Sequence, residues 1–243
     1  MNATANARTR RRAGPLLGTF PRLLNWWPVA AALVAVVVVV GWKWSLLDEL
    51  PAALWLLRGI AVLLVLGCVF LYDDPSWVLA DASPTTRRER VGPRIVVVMT
   101  TTVLTMLLLL AVIRGRAPVG SLSMSLAVGM FIEFLTLGLI GTALAVSLRR
   151  WLGYAEPGQF AAAGLAMFLV SLSMIQQRWP LLAAPGPEWT DAHRRWLALA
   201  VVAGCVIAVA LRDPAARLRP RSAHPPAEEL AGLNARGSIS PLA

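Results

Sequence analysis

One acidic side chain in the middle of a long apolar run is the first candidate for chemistry in this chain. Glu133 lies in the stretch GMFIEFLTLGLIG, ten residues after Ser123. At about 1.5 Å per residue, a helix that begins near Ser123 places Glu133 about 15 Å into a membrane. A carboxylate at this depth costs roughly 2.5–3.5 kcal/mol on insertion scales, so it must face protein or water.

Two hydroxyl groups are expected at a similar depth, Thr105 in the preceding apolar run and Ser171 in the following one. Each could donate a hydrogen bond to Glu133 and fix the packing of its helix. Small residues in the same run as Glu133, namely Gly129, Gly138 and Gly141, permit close approach of another helix. Three interpretations of Glu133 stay open: a packing residue, a residue that lines a substrate path, and a member of a proton relay.

The motifs of catalysis and metal binding are absent from the sequence. It contains no GxxxxGK[ST] phosphate loop, no HExxH motif and no Cys/His cluster. His193 and His224 are predicted to be isolated, in a loop and in the C-terminal tail, which leaves no histidine at membrane depth for a Ser–His–Asp triad. Asp73 and Asp74 are adjacent and point apart, which makes a poor acid–base pair. We therefore predict no catalytic, cofactor-binding or metal-binding residue, and no ATPase activity of the chain itself.

The composition indicates an all-α, polytopic membrane protein. Of the 243 residues, 57% are hydrophobic and 15% are charged, whereas ordinary globular domains have roughly 25% charged residues. Cys68 and Cys205 lie inside apolar runs and form no disulfide framework. The net charge of +10 comes from arginines at the ends of apolar runs. That pattern is typical of topology signals and lipid contacts, and it argues against a nucleic-acid partner.

The apolar runs divide the chain into three parts. We predict a basic segment at 1–25, either an interfacial helix or a disordered tail, then a membrane domain at 26–212, and a disordered tail at 213–243. The stretch 178–195 has three prolines, and its loop at 181–194 either folds back towards the membrane or stays exposed. Six spans, each near the roughly 20 residues that cross a bilayer, are predicted at about 27–47, 52–72, 95–114, 122–148, 159–180 and 195–212.

The distribution of basic residues predicts the orientation of the spans. If the N-terminus is inside, 16 of the 23 Lys and Arg residues lie on the inner side, which favours cytoplasmic termini. Arg58 is one of the seven residues assigned to the outer side, and Trp196 is one of the tryptophans expected at the outer interface.

The polar segment between the second and third spans is the largest internal part of the chain that can meet a soluble partner. We predict that its start caps a short helix with an apolar face, and that an arginine cluster precedes the next span. Such an element suits coupling to a partner; the alternative is a topology loop whose arginines only hold orientation. The residues assigned to the coupling element are Asp73, Asp74, Pro75, Trp77, Val78, Leu79, Arg87, Arg88 and Arg90.

The same segment resembles a known family. Arg58 opens a span that ends in FLYDDPSW, and ASPTTRRERVGPR follows. This pattern is similar to that of six-span ABC-type exporter permeases of actinobacteria, membrane subunits without an ATPase of their own. A mid-span acid such as Glu133 also fits that family. The resemblance covers roughly residues 52–150, and the sequence departs from the pattern at Tyr72 and at Ser76-Trp77, where Leu and small residues are usual.

The resemblance implies a function in transport. Such permeases pair as homo- or heterodimers in the bacterial plasma membrane, bind cytoplasmic ATP-binding subunits through the loop after the second span, and export drugs, peptides or lipids. Alternatives from other classes are a membrane-embedded sensor, regulatory or immunity protein without transport activity, and a secondary transporter. A secondary transporter usually has paired broken helices and several intramembrane charges.

The topology is testable with single cysteines in a Cys-free background. Ser83→Cys is expected to be protected from a membrane-impermeant maleimide in intact cells, and Gly186→Cys is expected to be labelled, because the arginine count places the two loops on opposite sides. Labelling of Ser83→Cys from outside would contradict the six-span arrangement.

Overall fold

The computed structural model describes residues 25–73, 87–116, 123–154, 156–176 and 178–212. These residues form helices, turns and irregular connections, with no strand among them. Single helical turns lie at Trp44–Asp48, Phe70–Tyr72 and Leu148–Leu152. The six α-helices are α1 (Trp27–Trp42), α2 (Leu50–Val69), α3 (Arg87–Arg116), α4 (Met124–Ser147), α5 (Pro157–Ile175) and α6 (Trp189–Ala210).

Local sequence explains where several of these helices begin. Pro28, Pro51 and Pro157 each lie in the first turn of a helix, where a missing backbone N–H costs nothing. The hydroxyl of Ser123 accepts a hydrogen bond from the backbone N–H of Leu126, which caps the N-terminus of α4. These starts agree with the predicted runs.

Five of the helices are long and apolar enough to cross a membrane, counting α2 and α4 together with the single turns that extend them. The all-helical class predicted from composition is therefore confirmed for the described residues, and the five helices are consistent with a polytopic membrane protein. Helix α1 has 16 residues, fewer than the roughly 20 that span a bilayer.

Helix α4 lies at the centre of the bundle. It packs against α2, α3, α5 and α6, while α1 packs mainly on α2. The peripheral helices α3, α5 and α6 bury only about a quarter of their apolar windows (22%, 22% and 28%). Their outer surfaces expose Leu, Val and Met side chains such as Leu108, Met174 and Val201. Helices with such apolar outer faces suit a lipid environment, because their backbone polar groups are satisfied internally.

Two helices begin earlier than predicted. Helix α3 begins at Arg87, ahead of the predicted 95, and it continues through Pro93. Val91 and Arg94 are buried at 2% and 5% exposure, so tertiary packing holds this turn helical despite the hydrogen bond that proline removes.

Helix α6 begins at Trp189, ahead of the predicted 195. Its first turns are polar in composition but amphipathic in pattern, since Trp189, Ala192, His193 and Trp196 are all buried. The hydropathy of the run does not reveal this buried face, because threonine, aspartate and arginine lie between the buried residues.

Candidate functional site

A buried ion pair joins α2 to α4. The Nε of Arg58 donates to one carboxylate oxygen of Glu133 at 2.8 Å, and its Nη2 donates to the other oxygen at 2.8 Å. The two side chains are 8% and 2% exposed. This two-pronged geometry is the strong form of an arginine–carboxylate contact, and it explains how Glu133 is accommodated among apolar helices.

A third ionisable residue, His193 of α6, completes the cluster. Its Nδ1 lies 2.6 Å from the carbonyl oxygen of Trp189, and its Nε2 lies 3.2 Å from Oε1 of Glu133. Gly129 of α4 lies directly opposite, because a Cβ at that position would be 2.6 Å from the His193 Nε2. The sequence prediction that Gly129 permits close helix approach is confirmed here.

The chain between α5 and α6 folds into the bundle. We call residues 180–184 the strap. The guanidinium of Arg58 donates from Nη2 to the carbonyl of Ala183 at 2.9 Å and from Nη1 to that of Leu182 at 3.4 Å. Leu181 and Ala183 are buried at 1% and 5% exposure. The strap therefore packs against the bundle, whereas residues 184–188 of the same loop are exposed.

Side chains of α5 and α6 hold the strap in place. The Trp196 indole donates to the carbonyl of Leu181 at 2.8 Å, and Arg195 donates to that of Pro180 at 2.9 Å. The side-chain oxygen of Gln176 accepts from the backbone N–H groups of Leu181 and Leu182. Side chains thus satisfy the carbonyls of residues 180–183 and the N–H groups of Leu181 and Leu182, as a loop placed inside a bundle requires.

Two clefts meet at the strap, and Leu182 lines both. A mainly apolar cleft of about 300 Å³ lies beside the ion cluster. A polar cleft of about 610 Å³ is lined by residues 180 and 182–184 of the strap. The apolar cleft is lined by Trp55, Arg58, Gly59, Ala61, Val62, Glu133, Phe134, Leu137, Leu169, Leu182 and Trp196. The polar cleft is lined by Gln176, Arg178, Pro180, Leu182, Ala183, Ala184, Glu188, Asp191 and Arg195.

A second polar site lies at the opposite end of α2, which we call the basic end. The carbonyl of Tyr72 accepts hydrogen bonds from Arg149 at 2.8 Å and from Arg94 at 3.3 Å. Helix C-termini leave carbonyls without intrahelical partners, and arginine donors satisfy them here. The contact connects the end of α2 to α3 and to the end of α4.

Asp73 connects this end to α5. One of its carboxylate oxygens accepts from the backbone N–H of Gly158, in the first turn of α5, at 2.6 Å. A carboxylate near a helix N-terminus is favoured by the free N–H groups and the helix dipole. Burial raises the pKa of Asp73, while the Gly158 hydrogen bond and the arginines nearby oppose that rise.

The polar partners of Glu133 among the described residues are Arg58 and His193, not the two hydroxyls predicted from depth. Ser171 is exposed and donates to the carbonyl of Met167 on its own helix at 2.9 Å. Thr105 is half-buried on α3. Depth fixes how far along its helix a residue lies, whereas the face it occupies depends on packing.

The structure describes the predicted coupling residues only in part. Asp73 is buried at the basic end, Arg88 is exposed and Arg90 is half-buried at the start of α3. Arg87 begins α3, and its side chain is outside the described part. Asp74, Pro75, Trp77, Val78 and Leu79 lie outside the described residues.

Sequence reasoning missed the partners of Glu133. Arg58 was counted as an outer topology charge, and the prediction that His193 is isolated in a loop is wrong, since it lies in α6 and contacts the cluster. Trp196 is fully buried rather than interfacial. A usable signal did exist: Arg58 lies eight residues into α2, where an unpaired cation is costly and a buried acid is its natural partner.

Comparison of the chain with protein-family models, with curated proteins and with solved structures finds no match. The class of protein therefore rests on the fold and the site alone. The described residues form a helical bundle around a buried Arg–Glu–His cluster, and five of the helices are able to cross a membrane.

The ion pair is expected to dominate the stability of the bundle. Glu133→Leu and Arg58→Leu should each cost roughly 3–5 kcal/mol, because each leaves a buried charge without a partner. The double variant should cost less than the sum of the two. The measurement is the unfolding free energy in detergent, with exposed Asp191→Asn as the control, expected to cost at most about 1 kcal/mol. Additive losses would contradict a direct pair.

The close contact at the basic end is testable with two glycines of α5. Gly158→Ala is expected to lower the unfolding temperature, because a Cβ there would lie 2.7 Å from the Asp73 carboxylate and 2.9 Å from the Phe70 Cα. Gly164→Ala is the matched control. Its Cβ would meet only the Leu144 side chain at 3.4 Å, and the gain in helix propensity should leave stability equal or up to about 1 kcal/mol higher. Equal effects of the two substitutions would contradict the contact.

Proposed function

We propose that this chain is the membrane-spanning permease subunit of an ABC-type exporter, and that a separate cytoplasmic subunit hydrolyses the ATP. The chain spans the bacterial plasma membrane six times with both termini inside, and it pairs with a second permease subunit. The resemblance of the segment after α2 to such permeases is one support. The substrate is a drug, a peptide or a lipid.

The observation that best supports the proposal is how the flanks of the segment 74–86 are anchored. On one side, the Tyr72 carbonyl and the Asp73 carboxylate are bonded to Arg149 and to Gly158. On the other side, Arg94 in α3 returns to the same Tyr72 carbonyl. A partner that moves the segment would therefore act on α2, α3, α4 and α5 together, as a coupling element requires.

The sixth span of the proposal is α1. Its 16 residues extend about 24 Å at 1.5 Å per residue, and the helical turn Trp44–Asp48 adds to that length. Trp27 and Trp42 at its two ends are 79% and 78% exposed. Tryptophans so placed suit the two interfaces of a bilayer, which supports a short or locally thinned crossing.

The two clefts that share Leu182 of the strap support a substrate route. The apolar cleft suits the hydrophobic part of an amphipathic molecule, and Arg58 and Glu133 provide polar groups in its wall. Arg58 bonds to the strap, and its partner Glu133 lines the cleft. This arrangement favours a role for Glu133 in the path as well as in packing.

A second candidate is a secondary transporter. The sequence indicates one intramembrane charge, but the structure brings Arg58, Glu133 and His193 together inside the bundle. Several ionisable groups at membrane depth are typical of ion- or proton-coupled carriers. ATP dependence of transport separates the two candidates, because a carrier works in vesicles that have an ion gradient and no ATP.

The permease proposal predicts that Trp77→Ala weakens the attachment of the ATP-binding subunit. A tryptophan buried at an interface is worth about 2 kcal/mol or more, which is a loss of about thirtyfold in affinity. The measurement is ATPase activity that copurifies with the full-length chain from its native membranes. Trp151→Ala is the matched control, since Trp151 is 59% exposed at the basic end but lies outside the coupling segment.

The arginine cluster provides the second arm of this test. Single losses of Arg87, Arg88 or Arg90 should change little; Arg88 is exposed, and exposed ion pairs are worth about 0–1 kcal/mol. If Trp77→Ala and the triple Arg→Ala variant both retain the ATPase and full export, the segment is a topology loop and the proposed docking is wrong. A loss with Trp151→Ala instead would move the docking surface to the turn after α4.

A further inference from the structure

The two ring nitrogens of His193 face different partners, and each restricts where protons lie. Nδ1 lies 2.6 Å from the carbonyl oxygen of Trp189. A carbonyl oxygen only accepts hydrogen bonds, so Nδ1 must bear a hydrogen. Nε2 lies 3.2 Å from Oε1 of Glu133. In a neutral imidazole with its hydrogen on Nδ1, Nε2 is itself an acceptor, and two acceptors would face each other in a buried site.

A proton between Nε2 and Glu133 removes this conflict. Both oxygens of Glu133 already accept from the Arg58 guanidinium at 2.8 Å, which is the geometry of an ionised carboxylate. The proton therefore belongs on His193. Gly129 lies so close that a Cβ there would be 2.6 Å from Nε2, so α4 holds the ring against the carboxylate.

We propose that His193 and Glu133 form a proton-binding site inside the bundle, with the proton on His193 at neutral pH, and that this proton holds the strap closed over Arg58. The charged groups that face His193 are Glu133 from α4 and Arg58 from α2. On its own helix, Asp191 and Arg194 pair with each other at the surface. Arg195 bonds to the carbonyl of Pro180.

The strap depends on the proton through α6. Trp196 and Arg195, which follow His193 in this helix, bond to the carbonyls of Leu181 and Pro180. Loss of the proton replaces an attraction between His193 and Glu133 with repulsion and moves the first turns of α6 away from α4. The strap then loosens at Leu182, which lines both clefts. Proton occupancy thus sets access to the clefts at the strap, whatever drives transport.

The chain allows a direct test because it has only two histidines. The full-length protein with His224→Gln, purified without a histidine tag and labelled with ¹⁵N-histidine, gives a single imidazole from His193. At neutral pH its nitrogen shifts should be those of an imidazolium, with both nitrogens protonated. Glu133→Gln should convert it to the neutral form with the hydrogen on Nδ1. Glu188→Gln, which removes an exposed acid just before α6, should leave the imidazolium unchanged.

A neutral His193 in the otherwise native protein at neutral pH, in either tautomer, would overturn the proposal. That spectrum decides the matter even if Glu133→Gln fails to fold. It does not depend on an ATP-binding subunit, so it can fail while the exporter proposal stands.

The link to the strap has its own readout. In a background with Cys68→Ala and Cys205→Ala, a maleimide added at one fixed pH should label buried Ala183→Cys about tenfold faster when His193→Gln is also present, the size expected when one contact between charged groups is lost. Labelling of the exposed Ala184→Cys should be the same in both backgrounds. An unchanged rate at Ala183→Cys would overturn the link between the proton and the strap.

Discussion

A guanidinium buried among apolar helices must have its N–H groups satisfied, and the rest of the bundle is arranged around that requirement at Arg58. Four of its donor contacts are made, two to Glu133 and one each to Leu182 and Ala183. These partners come from α4 and from the strap, so the residue joins parts of the chain up to 125 positions apart. A lone charge in this place would be far more costly than the pair, and the carboxylate, the strap carbonyls and the arginine therefore depend on one another.

The need to satisfy polar groups also explains the contacts at the basic end. There the groups to be satisfied are the carbonyl at the end of α2 and the N–H groups that begin α5, and the donors and acceptors are Arg94, Arg149 and Asp73. These contacts bring the ends of four helices together around the flanks of the segment 74–86. The bundle thus has a buried cluster near one end and a network of helix caps at the other, and α4 connects them. Movement at the basic end can reach the cluster through this central helix, which is the arrangement a coupled transporter needs.

Much of the fold follows from local sequence. Apolar runs and first-turn prolines predict α2, α4 and α5 closely, because both signals act within one helix. The predictions fail where packing outweighs local preference. Pro93 does not break α3, since Val91 and Arg94 are buried around it, and α6 begins early because its polar first turns have one buried face.

Of the buried Arg–Glu–His cluster, one residue could be predicted from the sequence. The cost of a carboxylate at membrane depth singles out Glu133, and it is buried. Its partners were not predicted, since Arg58 also fits a topology signal and the contact with His193 requires knowing that α6 begins at Trp189. The strap carbonyls have no sequence signature at all, because any residue supplies them. Depth also could not show which way Thr105 and Ser171 face. Packing, not periodicity, decides which side of such a helix turns towards the bundle.

The central claim is that a separate ATP-hydrolysing subunit drives this bundle through the segment after α2. It is tested most directly by native mass spectrometry of the full-length chain purified from its own membranes in a mild detergent. The account predicts a complex that contains two permease subunits together with two ATP-binding subunits. A chain that is recovered without any ATP-binding subunit, while its export activity persists in ATP-free vesicles, would contradict it.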